Sequence, residues 1–477
     1  MIREAVAIVE ETSVTRSSAP HDIGLNGREP TEPSAAIPPI NSALKRDLRL
    51  SIGDGTLYGV MVGSGESYLQ AFVLAAGQSE VFAGLVATVP VMAGSLLQLV
   101  SPRAVRLLGS HKRWVVACAL LQAACFVPLI VAACVGQISA LSALVISSVY
   151  WGASLGTGPA WNTWQGTIIP RPLRAKFFAK RSRLCQATTL TGFLAGGFAL
   201  EAGKVHGNRI EIFAILFAVS CVCRILSSGC LAFQSEPSPI PEDMRFLTLR
   251  EQWRKFSRGP SGRLLLFAVS MQVGVYVAGP FFVPYMLKEL GFDYTDYAIL
   301  IGVSFVAKFV CLPWWGRLAH HTGAQRLLWI GAIGIIPLAG GWVVSSNYWW
   351  LLSLQLLAGT AWGAYELALV LLFFETIPEN ERTSLLTLYN VANSIALAVG
   401  SLIGAGLLKW VGVSVTGYLA VFAASTLLRL LTMFLLRRIP TTTVMSAAVP
   451  VRPLSVRSSG ESLDAPILPG LPDQTDE

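Results

Sequence analysis

The sequence predicts an all-α integral membrane protein of about twelve transmembrane helices, and three observations carry that prediction. The 477-residue chain is 53% hydrophobic and only 13% charged, more apolar than a water-facing globular surface tolerates. Runs of about 20 apolar residues recur from end to end, each long enough to cross about 30 Å of hydrocarbon at about 1.5 Å per residue. The connections between them alternate between rich and poor in Lys and Arg, as membrane topology requires.

Residues 1 to about 44 are rich in Pro, Ser, Thr and Glu without periodicity and predict a disordered tail. The segment 439–477, with Pro450, Pro453, Pro466, Pro469 and Pro472, predicts a second. Between them the apolar windows place helices at 50–75, 80–101, 113–135, 139–161, 186–203, 211–233, 263–287, 295–315, 327–345, 349–374, 384–409 and 414–436. Twelve is even, so both tails share a side. That side carries Lys45, Arg46 and Arg49, then Arg103, Arg106, Lys112 and Arg113, then six basic residues from Arg171 to Arg183 and six more from Arg245 to Arg263. It continues with Arg317, Arg326, Arg382, Arg437 and Arg438, against only Lys204, Arg209, Lys288 and Lys409 opposite. The asymmetry predicts a multi-pass protein of the cell inner (cytoplasmic) membrane with both termini and the middle loop cytoplasmic. The first 20 residues include Glu4, Glu10 and Glu11 and lack a sustained apolar core, so insertion is expected to start from the first membrane helix.

The same topology accounts for the net charge of +8, and no nucleic-acid partner is expected. Seven of the eight cysteines (Cys118, Cys125, Cys134, Cys221, Cys223, Cys230 and Cys311) lie in apolar stretches without metal-ligand spacing, which predicts neither disulfides nor a metal site. No P-loop, GxSxG or HExxH occurs, so no catalytic residue, no cofactor and no enzyme activity are expected. The partners expected are membrane lipids, with anionic headgroups near Arg171–Arg183, a small-molecule solute and protons, around a monomer.

The second half of the chain echoes the first. Pro102–Lys112 matches Gly316–Arg326 at an offset of 214, and Trp151-Gly152-Ala153 pairs with Trp362-Gly363-Ala364. Pro170, Arg174, Gly192 and Gly196 pair with Pro378, Arg382, Gly400 and Gly404 at 208, and Phe217–Arg224 pairs with Phe422–Arg429 at 205. These matches in register and in order predict two pseudo-symmetric six-helix halves, 45–235 and 263–438, joined by a middle loop, 236–262.

Over residues 45–438 the sequence resembles the major facilitator superfamily (MFS), whose twelve-helix members carry a basic, glycine-containing gating motif after helices 2 and 8. The motif positions are Arg103, Arg106 and Gly109 in one copy and Gly316, Arg317, His320, Gly323 and Arg326 in the other. Gly316, Leu318, Ala319 and Gly323 fit it, while the acidic position is Arg106 in the first copy and His320 in the second. The resemblance implies the MFS fold and a secondary transporter working by alternating access about a midplane cavity of helices 1, 4, 7 and 10. The contrasting expectation is a non-transporting receptor or assembly factor on the same fold.

Charge inside a bilayer costs several kcal/mol unless it faces the bundle interior, so intramembrane carboxylates are functional candidates. Glu66 lies about fifteen residues into the first helix, on a stripe with Gly59 and Gly63, with Gln70 one turn on. It is the expected coupling carboxylate; a structural hydrogen bond is the alternative. Glu366 in the tenth helix, with Tyr365 beside it and Trp362 a turn earlier, is the second candidate, against plain aromatic packing. Gln272 and Tyr276, one turn apart in the seventh helix, are candidates to face the solute, with a bundle hydrogen bond as the equal alternative; Gly279-Pro280 follows, where proline frees carbonyls for a hinge or polar lining. Asn390 and Asn393 in the eleventh helix carry even odds of facing a solute or bonding within the bundle. Arg224, Arg429 and Lys308 are expected as structural intramembrane charges, Lys308 with the option of neutralising a carboxylate. Asn162 with Trp161 and Trp164 is expected at the membrane interface.

Overall fold

The computed structural model describes residues 42–98, 100–205, 208–237, 260–376 and 379–437. The expected C-terminal tail, most of the expected middle loop and residues 1–41 of the expected N-terminal tail lie outside them, whereas 42–44, expected in that tail, are helical, because hydropathy does not register the polar first turns of the first span. The first span is α1 (Ser42–Ser64), extended by a 3-10 turn (Glu66–Tyr68) and a short segment (Leu69–Ala75). The second, α2 (Glu80–Val86), continues after a break as Val89–Gln98, and a short helix, Ser101–Leu108, leads into α3 (His111–Val135). Next come α4 (Ala140–Ile168), α5 (Arg171–Val205) and α6 (Arg209–Phe233). The seventh span is α7 (Pro260–Ala278), followed by a 3-10 turn (Gly279–Phe281) and a π turn (Tyr285–Glu289). Five uninterrupted helices complete the order: α8 (Tyr294–Thr322), α9 (Ala324–Val344), α10 (Tyr348–Thr376), α11 (Glu379–Val411) and α12 (Val415–Leu436).

Among the described residues nine helices are long and apolar enough to cross a membrane. The other three spans are the interrupted first and second and α5, whose N-terminal turns are basic. The protein is therefore an all-α, multi-pass membrane bundle, as the sequence predicts. One expectation needs correction: the basic run Arg171–Arg183, read as a connecting loop, is helical and forms the first turns of α5. Hydropathy detects only the lipid-facing part of a helix, whereas Arg, Lys, Ala and Leu continue it past the membrane surface.

The internal repeat reappears as a repeat of packing. In the first half α1 packs on α5 and α6, α3 on α6 and α4, and the second segment of the α2 span on α4. In the second half α7 packs on α11 and α12, α9 on α12 and α10, and α8 on α10, the same scheme six helices later. The halves meet where α5 lies against α8 and where the second span lies against α11.

Small residues set the closest approaches. A Cβ on Gly59 would stand 2.4 Å from the Cys185 carbonyl oxygen, and one on Gly63 would stand 2.1 Å from that of Thr189. Gly59 and Gly63 thus form the face on which α5 rests, but Glu66 does not share it. The 3-10 turn after α1 rotates Glu66 off that stripe and towards α4, a departure from the regular helical spacing assumed from sequence. At the break after α7 the Phe281 ring lies between two glycines, Gly84 of α2 and Gly404 of α11, whose added Cβ atoms would be 2.6 and 2.7 Å from it.

At the basic end of the first half a buried polar network ties five helices together. The Asp54 carboxylate accepts from Arg181 Nη2 at 2.6 Å and from the Ser227 hydroxyl at 2.8 Å. Arg181 also donates through Nε to the Ser51 carbonyl at 2.9 Å and stands 4.4 Å over the Trp161 ring. Arg224 donates to Ser227 and to Gln122 of α3, and Gln165 of α4 bonds both Ser51 and Gln234. Trp164 is buried and its indole donates to the Ser235 carbonyl at 2.9 Å. Trp161 and Trp164, expected as interfacial anchors, therefore pack inside the protein, because this network fills the end of the bundle.

Candidate functional site

A cavity lies between the halves, towards the end opposite the basic one. From the first half it is lined by Glu66, Ser67 and Gln70 beside the break after α1, and by Trp151 of α4. From the second half Tyr276 and Pro280 contribute, with Ser304 of α8, Trp342 of α9, Gln355 and Trp362 of α10 and Arg429 of α12. Its volume, about 130 Å³, holds on the order of ten waters at about 10–15 Å³ each.

The backbone breaks create the polar lining. Beside Gly65 there is no room for a side chain, since an added Cβ would meet the Ser220 hydroxyl at 2.4 Å and the Phe126 ring at 2.7 Å. The chain passes from α-helix to 3-10 turn there, and Glu66 points at α4. Tyr150 donates its hydroxyl to Glu66 Oε2 at 2.7 Å, fixing one carboxylate oxygen at the cavity wall. After α7 the Pro280 carbonyl is left free because Pro284, four residues on, has no N–H to donate to it, and it accepts from Gln70 Nε2 at 2.5 Å. The freed carbonyl expected from the proline is thus satisfied by a side chain of the other half.

The remaining sequence candidates divide. Tyr276 and Trp362 line the cavity, whereas Tyr365 is buried beside it against Phe267 and Trp362, at ring distances of 6.3 and 5.7 Å. Glu366 does not line the cavity; it is buried in an ion pair with Lys308 Nζ at 2.5 Å. Gln272 and Asn393 are buried away from the lining, and Asn390 is half-buried on α11. Arg429 donates to the Ile335 carbonyl at 3.0 Å and the Val275 carbonyl at 3.5 Å, and so stitches α12 to α9 and α7. Arg224 is held by side chains rather than carbonyls, so the two repeat-related arginines do the same structural task with different partners.

In the gating motif Arg103, Arg106, Arg317 and Arg326 are exposed. Gly109 (φ +60°) ends the short helix before α3, and Gly323 (φ +87°) separates α8 from α9. Gly316 is half-buried within α8; His320 belongs to the same helix, and its side chain lies outside the description. The first copy lacks its own acid, but Glu236, after α6, receives the Ser110 hydroxyl at 2.6 Å and the Lys112 amide at 3.1 Å. Sequence reasoning did not single out Tyr150, Asp54, Arg181 or Glu236. Asp54 carried a usable signal, an acid only four residues inside the predicted first helix; the others gain meaning only from their partners.

Contacts between the halves cluster at the end opposite the basic one. Lys204 pairs with Asp293, and the Tyr294 amide donates to Glu201 at 3.0 Å. Nearer the middle Thr88 donates to Ser401 at 2.6 Å, and Tyr297 packs edge-on against Tyr68 and Phe193.

Comparison with known proteins agrees with this geometry. The family model described as Major Facilitator Superfamily matches residues 264–468. The second half of the chain is thus similar to the major facilitator superfamily. The fold is similar to that of a bacterial homologue of the iron transporter ferroportin in an inward-facing state (TM-score 0.63, 14% identity), covering 83% of this chain and all of that one. The nucleoside transporter NupG superposes with TM-score 0.62 at 12% identity and the same coverage. A multi-drug resistance efflux pump PmrA homolog of Lactococcus lactis subsp. lactis (strain IL1403) is 29% identical over 157 residues. That similarity spans 32% of this chain and 38% of the length of the relative.

Proposed function

We propose that this chain is a secondary active transporter that moves a small organic solute across the cytoplasmic membrane by alternating access, coupled to protons. The observation that carries the reading is the cavity itself. It is built from both halves, and Glu66, the acidic residue of its lining among the described residues, sits at a helix break with one oxygen held by Tyr150. The halves, 45–235 and 263–438, are the rocking units, and the contacts around Lys204, Asp293 and Gln70 close one mouth. The basic residues at the other end favour a cytoplasmic placement of that end and of both termini. The transporters among the structural neighbours, and the efflux pump similar in sequence, support the same class of activity.

Purified protein in liposomes on a solid-supported membrane, challenged with pooled metabolites and drugs under an imposed pH gradient, tests the reading. The expected result is a saturable current with at least one pool, abolished by Glu66→Gln. A current indifferent to that substitution removes Glu66 from the solute path. Absence of both current and isotope flux for every pool overturns the transport reading.

A further inference from the structure

The Lys308–Glu366 pair is buried between α8 and α10, outside the cavity. Its carboxylate and ammonium are 2.5 Å apart, with side chains 9% and 12% exposed. Such a pair is a poor device for stability, since two apolar side chains of similar volume hold helices together as well or better. Charges retained at membrane depth mark ion pathways and proton relays instead. The pair also sits at a mechanical junction. Lys308 is one turn from Ser304 and Glu366 one turn from Trp362, and both Ser304 and Trp362 line the cavity. The backbones of α8 and α10 touch here: a Cβ on Gly359 would stand 2.1 Å from the Ser304 carbonyl oxygen and 2.9 Å from the Lys308 nitrogen. Trp315 of α8, two turns beyond Lys308, donates to the Thr360 carbonyl of α10 at 2.9 Å and closes the junction.

Among the described residues the groups that face Glu366 electrostatically are Lys308 from α8 and the Tyr389 phenol from α11. α7 and α9, which also pack on α10, bring no charged group to it among the described residues. We propose that Lys308 and Glu366 form a proton-operated latch between α8 and α10, so that the coupling proton and the solute occupy separate sites. The proton adds to the Glu366 carboxylate, the Lys308 ammonium keeps its own, and the pair passes from neutral to a charge of +1. The attraction clamping α8 to α10 is then lost, and the two helices that carry Ser304 and Trp362 are free to shift at the cavity wall. Glu66 remains the solute contact. The proposal rests on the transport reading for its purpose, but its test needs no solute.

The test is a rapid pH jump applied to proteoliposomes on a solid-supported membrane, with no solute present. The wild-type chain is expected to give a transient charge displacement above that of empty liposomes. Glu366→Gln is expected to lose it. The double substitution Lys308→Met with Glu366→Met, which removes both charges and leaves none buried alone, is expected to lose it too while the protein stays monodisperse. A transient that persists in the double variant, one lost in Glu66→Gln in its place, or none from the wild-type chain overturns the latch. Loss of solute-driven current with the Glu366-dependent transient intact would instead count against the transport reading alone.

Discussion

Replacing Asp54 by Asn should destabilise the first half by an amount that the geometry sets. The substitution keeps the side-chain shape and an acceptor for the Ser227 hydroxyl, 2.8 Å away, but removes the charge facing Arg181 at 2.6 Å. The two side chains are 4% and 14% exposed, so neither charge can turn to water without moving a helix. Breaking one partner of a buried pair costs about 3–5 kcal/mol. Arg181 retains the Ser51 carbonyl and the Trp161 face, which places the expected cost at the lower end, about 3 kcal/mol. At roughly 2–4 °C per kcal/mol for a unit of 150–250 residues, the melting temperature should fall by roughly 6–12 °C. Intrinsic tryptophan fluorescence during heating in detergent reads this directly, because Trp161 and Trp164 border the network. Asp54→Leu combined with Arg181→Met should recover most of the loss, since no charge is then left unpaired. A single variant that melts within about 2 °C of the wild type, or a double variant no better than the single, would refute the view that this pair organises the basic end.

Two further outcomes follow from the contacts. Gly63→Ala puts a Cβ 2.1 Å from the Thr189 carbonyl oxygen, so α1 and α5 must separate, and a loss of about 1–3 kcal/mol is expected in the same melting assay; an unchanged melting temperature would refute the close approach. Gln70→Leu leaves the Pro280 carbonyl without its side-chain donor and should weaken the closed mouth by about 1–3 kcal/mol. Spin labels at Ala202 and Ser346 in a cysteine-free background should then report a population at longer distances, and an unaltered distance distribution would show that this bond does not hold the mouth.

Hydrophobic length carried most of the fold, since each predicted window lies within or close to one observed span and the repeat offsets anticipated the duplicated packing scheme. Where the reading stopped, the cause was physical. Hydropathy is blind to helix beyond the lipid, so α5 was shortened by fifteen residues, and Arg181 was counted as loop charge although it faces Asp54 across 127 positions. Regular spacing put Glu66 on the stripe of Gly59 and Gly63, whereas steric exclusion at Gly65 forces the turn that sends it elsewhere. The carboxylates themselves were readable, because acid in an apolar run is conspicuous. Their partners were not: that Tyr150 meets Glu66 and that Lys308 meets Glu366 depends on how separate helices are rotated, which no local pattern encodes.

The seating of Phe281 bears on how the halves can slide. One aromatic ring is wedged between two glycines, with Gly84 against its Cε1 edge and Gly404 against its Cε2 edge. Interlocked side chains must jump between rotamers when helices shift, and each jump adds a barrier. A ring running along bare backbone has no such teeth to climb, so this junction works as a plain bearing. Friction there is set by backbone smoothness. Under the proposed alternating access, a methyl group on either rail would therefore slow the exchange between conformations.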